Sequence, residues 1–220
     1  MLNSKEKILK AIGIPLWRSR LKEFSDTKCK ESEITESWTK VIEDANSCVL
    51  CPLHLTRNLV VVGKGSTNAK LLIVGEAPGS EEDKQGLPFV GKAGLLLDQM
   101  ILSCEQWVGE VYVANVIKCR PPGNRTPEKS EIDSCVEFLF RQIQLLSPEG
   151  ILALGRTAAH ALLGNDEPFA KLRGKVHYLT TAEIPVVVTY HPAYLLRSPL
   201  QKAKSWEDLN LLGTVFEEES

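Results

Sequence analysis

Apolar residues along the chain form four short, nearly continuous runs. The runs are KLLIVG at 70–75, VYVANV at 111–116, GILALG at 150–155 and PVVVTY at 185–190. Continuous β-branched and aliphatic sequence of this length is typical of strands that are buried on both faces of a parallel sheet. The pattern therefore predicts four buried parallel strands.

Segments with helical periodicity separate these runs. An apolar stripe from Leu95 to Trp107 predicts one helix, and Thr126 is a suitable N-cap for the next, with Pro127 at its first position. Alternating strands and helices join through right-handed crossovers, so that helices cover both faces of the sheet. The predicted fold class is α/β, a three-layer α/β/α sandwich with a central, mainly parallel four-stranded sheet. The predicted helices cover 92–107, 127–146, 156–163 and 201–213.

The length of 220 residues suits one domain with a substantial core, and the net charge is −2. This charge argues against a protein that coats nucleic acid, but it is compatible with a local basic groove. Irregular apolar spacing over 1–44 predicts an N-terminal helical extension, and 45–220 form the functional domain. No apolar stretch reaches the ~20 residues of a membrane span, and the N-terminus is a poor signal peptide. We therefore expect a cytoplasmic protein with no membrane contact.

Four of the six cysteines fall into two spaced pairs. Cys48 and Cys51 form a C-x2-C motif, and Cys119 and Cys135 follow after a gap of 67 residues. A C-x2-C pair can bind one metal centre from a single turn, and a second pair can complete the ligand set. Cys104 shares an apolar helical stripe and is predicted to pack in the core. All-thiolate ligation permits zinc or an iron–sulfur cluster, and the spacing does not distinguish between them.

Polar side chains lie at the ends of three predicted strands. Glu76 follows the first strand, Asn115 lies near the end of the second, and His191 follows the fourth. Ligands of such sheets bind beyond the carboxyl ends of the strands, so we expect these groups to converge with Phe89 on one rim. The turn at Glu76 is rich in glycine, but it lacks the Lys-Ser/Thr end of a P-loop, which disfavours nucleoside triphosphate binding.

Four segments together resemble one known family. They are GEAPGSEEDKQGLPFVGKAGLLLD at 75–98, ANVIKCRPPGNRTPEKSEIDSC at 114–135, ALGRTAA at 153–159 and HPAYLLR at 191–197. The sequence is similar to the iron–sulfur uracil-DNA glycosylases, called family 4, over roughly residues 45–215. The resemblance implies a uracil-DNA glycosylase-like fold and a DNA repair enzyme that hydrolyses the N-glycosidic bond of uracil. The implied partner is uracil-containing DNA, single- or double-stranded, and the protein is expected to act as a monomer.

The resemblance also implies roles at the rim. Glu76 would orient and deprotonate the attacking water, and His191 would hydrogen-bond uracil O2 as negative charge develops there. Phe89 would stack on the uracil ring, and Asn115 would donate to O4 and accept from N3–H. These roles agree with the chemistry, because cleavage leaves positive charge on the sugar and negative charge on the base. A flipped base also needs an aromatic face and hydrogen bonds to its edge.

Further residues take supporting roles by the same resemblance. Gly75 would let the substrate approach the backbone, Glu82 would line the pocket near uracil C5, and Asn124 would support the pocket loop. Leu195 or Leu196 is expected to wedge into the DNA stack, and Arg197 to contact phosphate. The resemblance implies a [4Fe–4S] cluster with four ligands, Cys48, Cys51, Cys119 and Cys135.

Two alternatives to this function stay open. One is a related glycosylase that binds uracil-DNA covalently through a histidine in a basic insertion, although the sequence RPPGNRTP after Cys119 contains no histidine. The other is a catalytically weak DNA-binding or redox module that keeps the fold and the cluster. The presence of Glu76, Asn115 and His191 disfavours the second alternative.

Overall fold

The structure is a computed structural model that describes residues 28–104 and 111–217. The chain divides into two compact units, Met1–Thr35 and Glu36–Ser220, and the second contains the sheet and the site. The first helix, α1, covers Lys28–Ser47. The extension expected over 1–44 falls largely outside the described residues, and it stays a prediction. No described helix is long and apolar enough to cross a membrane.

A mixed sheet forms the centre of the second unit. Its strand order is β1-β3-β2-β4-β6-β5, and the four central strands run parallel. The short strands β1 and β5 pair antiparallel at the two edges. The strands are β1 (Lys64–Gly65), β2 (Leu71–Gly75), β3 (Val111–Asn115), β4 (Gly150–Leu154), β5 (Val176–Tyr178) and β6 (Pro185–Thr189).

The predicted fold class is confirmed, but the prediction of four strands is wrong because the described residues form a sheet of six. The four predicted strands are the parallel ones, and all their residues are buried except Val111 at the start of β3. The two edge strands have only two and three residues, which is too short for a periodic signal.

Helices cover both faces of this sheet. Leu71 and Ile73 point to one face, where they pack in a core cluster with residues of α3, α7 and α8. Helix α5 contacts β4 and β2, and α4 reaches the strand residue Tyr112 through Gln142. Tyr112 pairs with Leu72, whose side chain lies on the face opposite to Leu71. The remaining helices are α2 (Ser80–Gln85), α3 (Lys92–Leu102), α4 (Lys129–Leu146), α5 (Arg156–Leu163), α6 (Phe169–Leu172), α7 (Pro192–Arg197) and α8 (Lys202–Glu217).

Helix α4 begins later than the sequence predicts. Its N-cap is Glu128 and not Thr126, because Glu128 and Glu131 form a reciprocal capping box. Arg125 donates to both carboxylate oxygens of Glu131, at 2.8 and 2.6 Å, and holds the pKa of that carboxyl below its usual range. Helix α3 ends at Leu102, and the rest of the helix predicted to 107 includes residues outside the described part.

Candidate active site

A cavity of about 890 Å³ opens at the carboxyl ends of the parallel strands. Because β2 lies between β3 and β4, and β6 pairs with β4, the strand ends bring Glu76, Asn115 and His191 together in its wall. Phe89 also lines the cavity. The convergence that the strand-end pattern predicts is therefore present in the fold.

Glu76 occupies the first turn after β2. Its carboxylate Oε2 accepts a hydrogen bond from the hydroxyl of Thr157, in the first turn of α5. Its backbone carbonyl accepts from the amide of Ile117 at 3.3 Å, which anchors the turn to the chain after β3. One carboxylate oxygen is thus held in place by the first turn of the helix that follows β4. The sequence reasoning missed Thr157, although its place two residues after a predicted strand was a usable signal.

Asn115 ends β3, and its side chain is 1% exposed. Its amide oxygen Oδ1 is buried, and no hydrogen-bond partner is found for it among the described residues. Gly75 lies beside it, and a Cβ on Gly75 would come within 2.3 Å of Oδ1 and 2.6 Å of the Phe89 ring. A larger residue at position 75 would therefore displace both groups. Asn115 also lines the cavity, and because an unsatisfied buried acceptor is costly, its oxygen is a candidate for accepting a hydrogen bond from a ligand.

Phe89 has a strained backbone that its surroundings hold in place. Its φ is +53°, in the left-handed region that a phenylalanine rarely adopts. The carboxylate of Glu82 accepts from the backbone amides of Val90 and Gly91, both at 3.0 Å. A Cβ on Gly94 would lie only 1.9 Å from the Phe89 carbonyl, so the helix after this turn needs glycine there. The two hydrogen bonds to Glu82 thus fix the turn that carries the aromatic ring.

His191 is the N-cap of α7, and its ring stacks against Phe89 with centroids 5.6 Å apart. Its Nδ1 accepts from the amide of Ala193 at 3.2 Å, which assigns the proton of the neutral ring to Nε2. Burial lowers the pKa of His191 to about 4, and the Arg197 charge lowers it further against the opposing effect of Glu82. The imidazole is therefore neutral near pH 7 and can donate from Nε2.

The remaining predicted contacts divide between the cavity and the core. Asn124 lines the cavity with a φ of +55°, and its Oδ1 accepts from Arg120 Nε at 2.7 Å. Arg197 also lines the cavity and is exposed. Leu195 is 1% exposed and packs in the core cluster, whereas Leu196 is 45% exposed. The DNA contact assigned to Leu195 therefore does not fit, because the helical turn points that side chain inward.

The four predicted metal ligands lie outside the cavity lining but close to one another. Cys48 and Cys51 follow α1 and are partly buried, whereas Cys119 and Cys135 are buried. Cys119 interacts electrostatically with Cys51 and Cys48, and Cys135 with Cys119 and Cys51. In the described part of the chain, no group of three or more His, Cys, Asp or Glu side chains is arranged to hold a single metal ion.

Two of these thiols accept hydrogen bonds, one from an arginine side chain and one from a backbone amide. Arg57 Nη1 donates to Cys119 Sγ at 3.1 Å, and the backbone amide of Lys118 donates to Cys135 Sγ at 3.3 Å. Burial raises the pKa of the Cys135 thiol to about 11, although the Lys118 charge opposes the shift. These donors favour the thiolate form that a metal centre requires.

Lys118 is a functional candidate that the sequence reasoning missed. It is 1% exposed, and its Nζ donates to the backbone carbonyl of Asn115 at 2.8 Å and to Gln142 Oε1 at 2.6 Å. Gln142 in turn donates to the Val62 carbonyl and to the Tyr112 hydroxyl, at 3.0 and 3.3 Å. Burial lowers the pKa of Lys118 to about 8, against the opposing effect of Cys135. A lysine in a loop sequence is usually solvated, so its burial left no sequence signal.

Comparison with known proteins agrees with this geometry. Residues 62–210 match the model of the uracil DNA glycosylase superfamily. The chain is 44% identical over 160 residues to a type-4 uracil-DNA glycosylase of Thermotoga maritima, an alignment that covers 72% of this chain and 82% of the relative. The type-4 uracil-DNA glycosylase of Pyrobaculum aerophilum is 39% identical over 176 residues, covering 77% and 90%. That of Archaeoglobus fulgidus is 36% identical over 186 residues, covering 82% and 94%. The chain therefore belongs to the uracil DNA glycosylase superfamily and, within it, to the type-4 uracil-DNA glycosylases.

Proposed function

We propose that this chain is a DNA repair hydrolase that cleaves the N-glycosidic bond of uracil in DNA, releasing free uracil and leaving an abasic site. One observation carries the proposal. The cavity holds a carboxylate (Glu76), a buried amide with an unpaired oxygen (Asn115) and a neutral imidazole with its proton on Nε2 (His191). These are the three groups that a flipped uracil and its attacking water require.

Glu76 serves the sugar side of the reaction. Its carboxylate stabilises the positive charge that develops on the sugar as the bond to the base lengthens. It also orients the attacking water and accepts its proton. The Thr157 hydroxyl occupies one carboxylate oxygen and fixes the orientation of the group.

His191 serves the departing base. Negative charge grows on uracil O2 as the bond breaks, and the neutral imidazole donates its Nε2–H to that oxygen. Neutrality is useful here, because the donor already has its proton in place throughout the physiological pH range. The hydrogen bond from Ala193 to Nδ1 keeps the proton on the side that faces the base.

Asn115 and Phe89 recognise the base before it reacts. The unpaired Oδ1 of Asn115 accepts from uracil N3–H, and its amide nitrogen donates to O4. Phe89 stacks on the ring, and Glu82 holds its turn while remaining the candidate for the group near C5. Asn124 supports the pocket wall. On the DNA, Arg197 contacts phosphate, and the exposed Leu196 takes the wedge role because Leu195 is buried.

The four neighbouring thiols are proposed to hold a [4Fe–4S] cluster. The ligands would be Cys48, Cys51, Cys119 and Cys135. The fit rests on four neighbouring thiols from three chain segments and on the donors Arg57 and Lys118 beside two of them. Such a cluster supplies structural cross-linking and redox-active iron, and the uracil chemistry described above requires neither at the substrate. The cytoplasmic location and the monomeric state stay predictions.

The deciding experiment uses a uracil-containing oligonucleotide and measures free uracil and abasic sites. We expect the wild-type chain to release uracil. Glu76→Gln should bind the oligonucleotide without releasing uracil, because it keeps the shape of the side chain but removes the carboxylate that accepts the proton of water. Binding of uracil-DNA without cleavage by the wild type would instead favour the catalytically weak alternative. A protein–DNA adduct stable to denaturant would favour the covalent one. Purified protein should be brown with about four irons, whereas colourless, active protein with stoichiometric zinc would overturn the cluster.

A further inference from the structure

The cavity extends beyond the groups that the uracil reaction uses. Three aromatic residues, Phe169, Tyr190 and Tyr194, line it together with the base-reading residues. We call these three rings the aromatic ledge. A volume of about 890 Å³ lies in the range of pockets that take a drug-sized ligand, and a single pyrimidine ring is much smaller than that. The cavity is therefore large enough for more than the uracil ring, and the mechanism described so far assigns no role to the ledge.

The three rings of the ledge contact one another, and the two tyrosine rings are stacked. Tyr190 and Tyr194 have centroids 5.1 Å apart and an interplanar angle of 20°, and Phe169 packs against Tyr190 at 5.2 Å and 56°. Tyr194, the outer ring, remains 37% exposed. An exposed aromatic ring at the end of a stack offers a flat surface to another flat, aromatic molecule.

A buried ion pair holds the ledge from behind. The Arg173 guanidinium lies 4.5 Å from the Tyr190 ring centre. Arg173 donates to the fully buried Asp208 from Nε and Nη2, at 2.9 and 2.7 Å, and to the Lys204 carbonyl at 2.6 Å. Both nitrogens donate to the same carboxylate oxygen, Oδ2. This ion pair fixes the guanidinium, and the guanidinium fixes the Tyr190 ring by a cation–π contact. The ledge is thus preorganised before any ligand arrives.

The charge around the ledge indicates what binds there. Arg156 and Arg197 are exposed and line the same cavity, where they can contact phosphate groups on either side of a nucleoside. Aromatic stacking combined with nearby cations is the usual means of binding single-stranded nucleic acid. The ledge is also continuous with the pocket proposed for uracil, through His191 and Ala193 in the same helix start.

We infer that the aromatic ledge binds a second nucleobase, the neighbour of the uracil in the same strand, by stacking it on Tyr194. This inference rests on the proposed function, because it takes the uracil to occupy the adjoining pocket. The neighbouring base must leave its own stack to reach the ring, so the ledge favours uracil in single-stranded or weakly stacked DNA.

The test compares two tyrosines and two oligonucleotides. Tyr194→Ala removes the outer ring, and Tyr178→Ala removes a tyrosine that is 63% exposed on β5, outside the cavity lining. Both are made in the Glu76→Gln background so that substrate is not consumed. Dissociation constants are measured for a single-stranded uracil oligonucleotide and for the same strand with abasic spacers on both sides of the uracil.

For the oligonucleotide with bases, we expect Tyr194→Ala to weaken binding roughly ten-fold or more, the usual effect of losing one aromatic stacking partner. The spacer oligonucleotide should bind Tyr194→Ala and its parent equally, and Tyr178→Ala should match the parent on both. Tyr194→Phe should retain the parental affinity. Equal losses on both oligonucleotides, or a Tyr194→Phe as weak as Tyr194→Ala, would overturn the inference. Failure of the proposed function would be seen separately, as absence of uracil release by the wild type.

Discussion

The ammonium group of Lys118 donates a 2.8 Å hydrogen bond to the backbone carbonyl of Asn115. The same lysine donates its backbone amide to the sulfur of Cys135, and it precedes Cys119 in the chain. The residue proposed to read the base is therefore attached, through one buried lysine, to two of the proposed cluster ligands. We therefore expect the position of Asn115 and the arrangement of the four cysteine thiols to depend on each other.

Lys118→Met should slow uracil release by about ten-fold or more while leaving a folded protein. Methionine fills similar space and removes a costly buried charge, but it leaves the Asn115 carbonyl and Gln142 Oε1 without their donor, at about 1–3 kcal/mol each. Single-turnover rates at saturating enzyme measure the effect on the chemical step apart from substrate binding and product release. Lys84→Met is the matched control, since Lys84 is exposed on α2. A parental single-turnover rate in Lys118→Met would remove the positioning role.

Asn115→Asp should lose most uracil release and gain weak release of cytosine. Uracil presents an acceptor at O4 and a donor at N3, whereas cytosine presents a donor at its exocyclic amine. The carboxylate accepts where the amide nitrogen donated, so it suits cytosine and repels O4. Sites built on buried hydrogen bonds reject a mismatched partner by several orders of magnitude. The measurement is base release from matched uracil and cytosine oligonucleotides, and unchanged uracil release without cytosine release would show that Asn115 does not read the base.

His191→Ala should lower the single-turnover rate by about 10²–10³-fold, the usual cost of removing one donor from a developing oxyanion. Because the pKa of His191 is about 4, its imidazole stays neutral between pH 5 and 8. The ratio of wild-type to variant rates should therefore be constant over that range. A ratio that changes near pH 6.5 would indicate an ordinary imidazole and contradict the structure.

The same histidine should affect stability with a definite sign. In the unfolded chain a histidine titrates near 6.5, so between pH 6.5 and 4 the unfolded state binds more protons than the folded state. Folding stability then falls as the pH is lowered through that window. His191→Gln removes this contribution, and its free energy of unfolding should decline less steeply on acidification, as measured by denaturant titrations at pH 7 and pH 5.

Cys135→Ala should lose iron and stability together, whereas Cys104→Ala should lose neither iron nor much activity. Both cysteines are 6% exposed, so the pair compares a proposed ligand with a core thiol. Cys51 and Cys119 are separated by 67 residues, and closing a loop of that size stabilises by about 4 kcal/mol, as judged from disulfide-closed loops. The melting temperature of Cys135→Ala should be lower than that of the wild type by about 10 °C. Full iron content in Cys135→Ala would exclude that residue as a ligand.

The parallel strands could be predicted because a strand that is buried on both faces consists of a continuous run of apolar residues. The edge strands could not, because Lys64 and Gly65 carry no apolar pattern and form a strand only through pairing with β3. The sequence predicts the start of α4 too early, because Thr126 suits the N-cap position and Pro127 suits the first position of a helix. The reciprocal hydrogen bonds of the capping box, which the structure shows, decide the position instead.

Strand ends made the candidate site predictable, since Glu76, Asn115 and His191 lie at the end of a buried strand or within two residues of it. What the sequence lacked was the direction of side chains in a short helix and the burial of single polar groups. Leu195 and Leu196 are adjacent and chemically identical, yet one packs in the core and the other is exposed. Lys118 is buried because partners three and 24 residues away accept its hydrogen bonds, and neither partner is visible from local sequence.

The two short edge strands limit how copies of this chain can associate. A parallel strand of five residues at a sheet edge would offer a row of unpaired N–H and C=O groups, which is a template for intermolecular pairing and aggregation. Here β3 and β6 are covered by β1 and β5, which have two and three residues. Gly65 also has a φ of +125°, outside the range of a regular strand. The sheet therefore ends in edges too short and too irregular to template another strand, and we expect concentrated protein to resist fibre formation through its β-sheet.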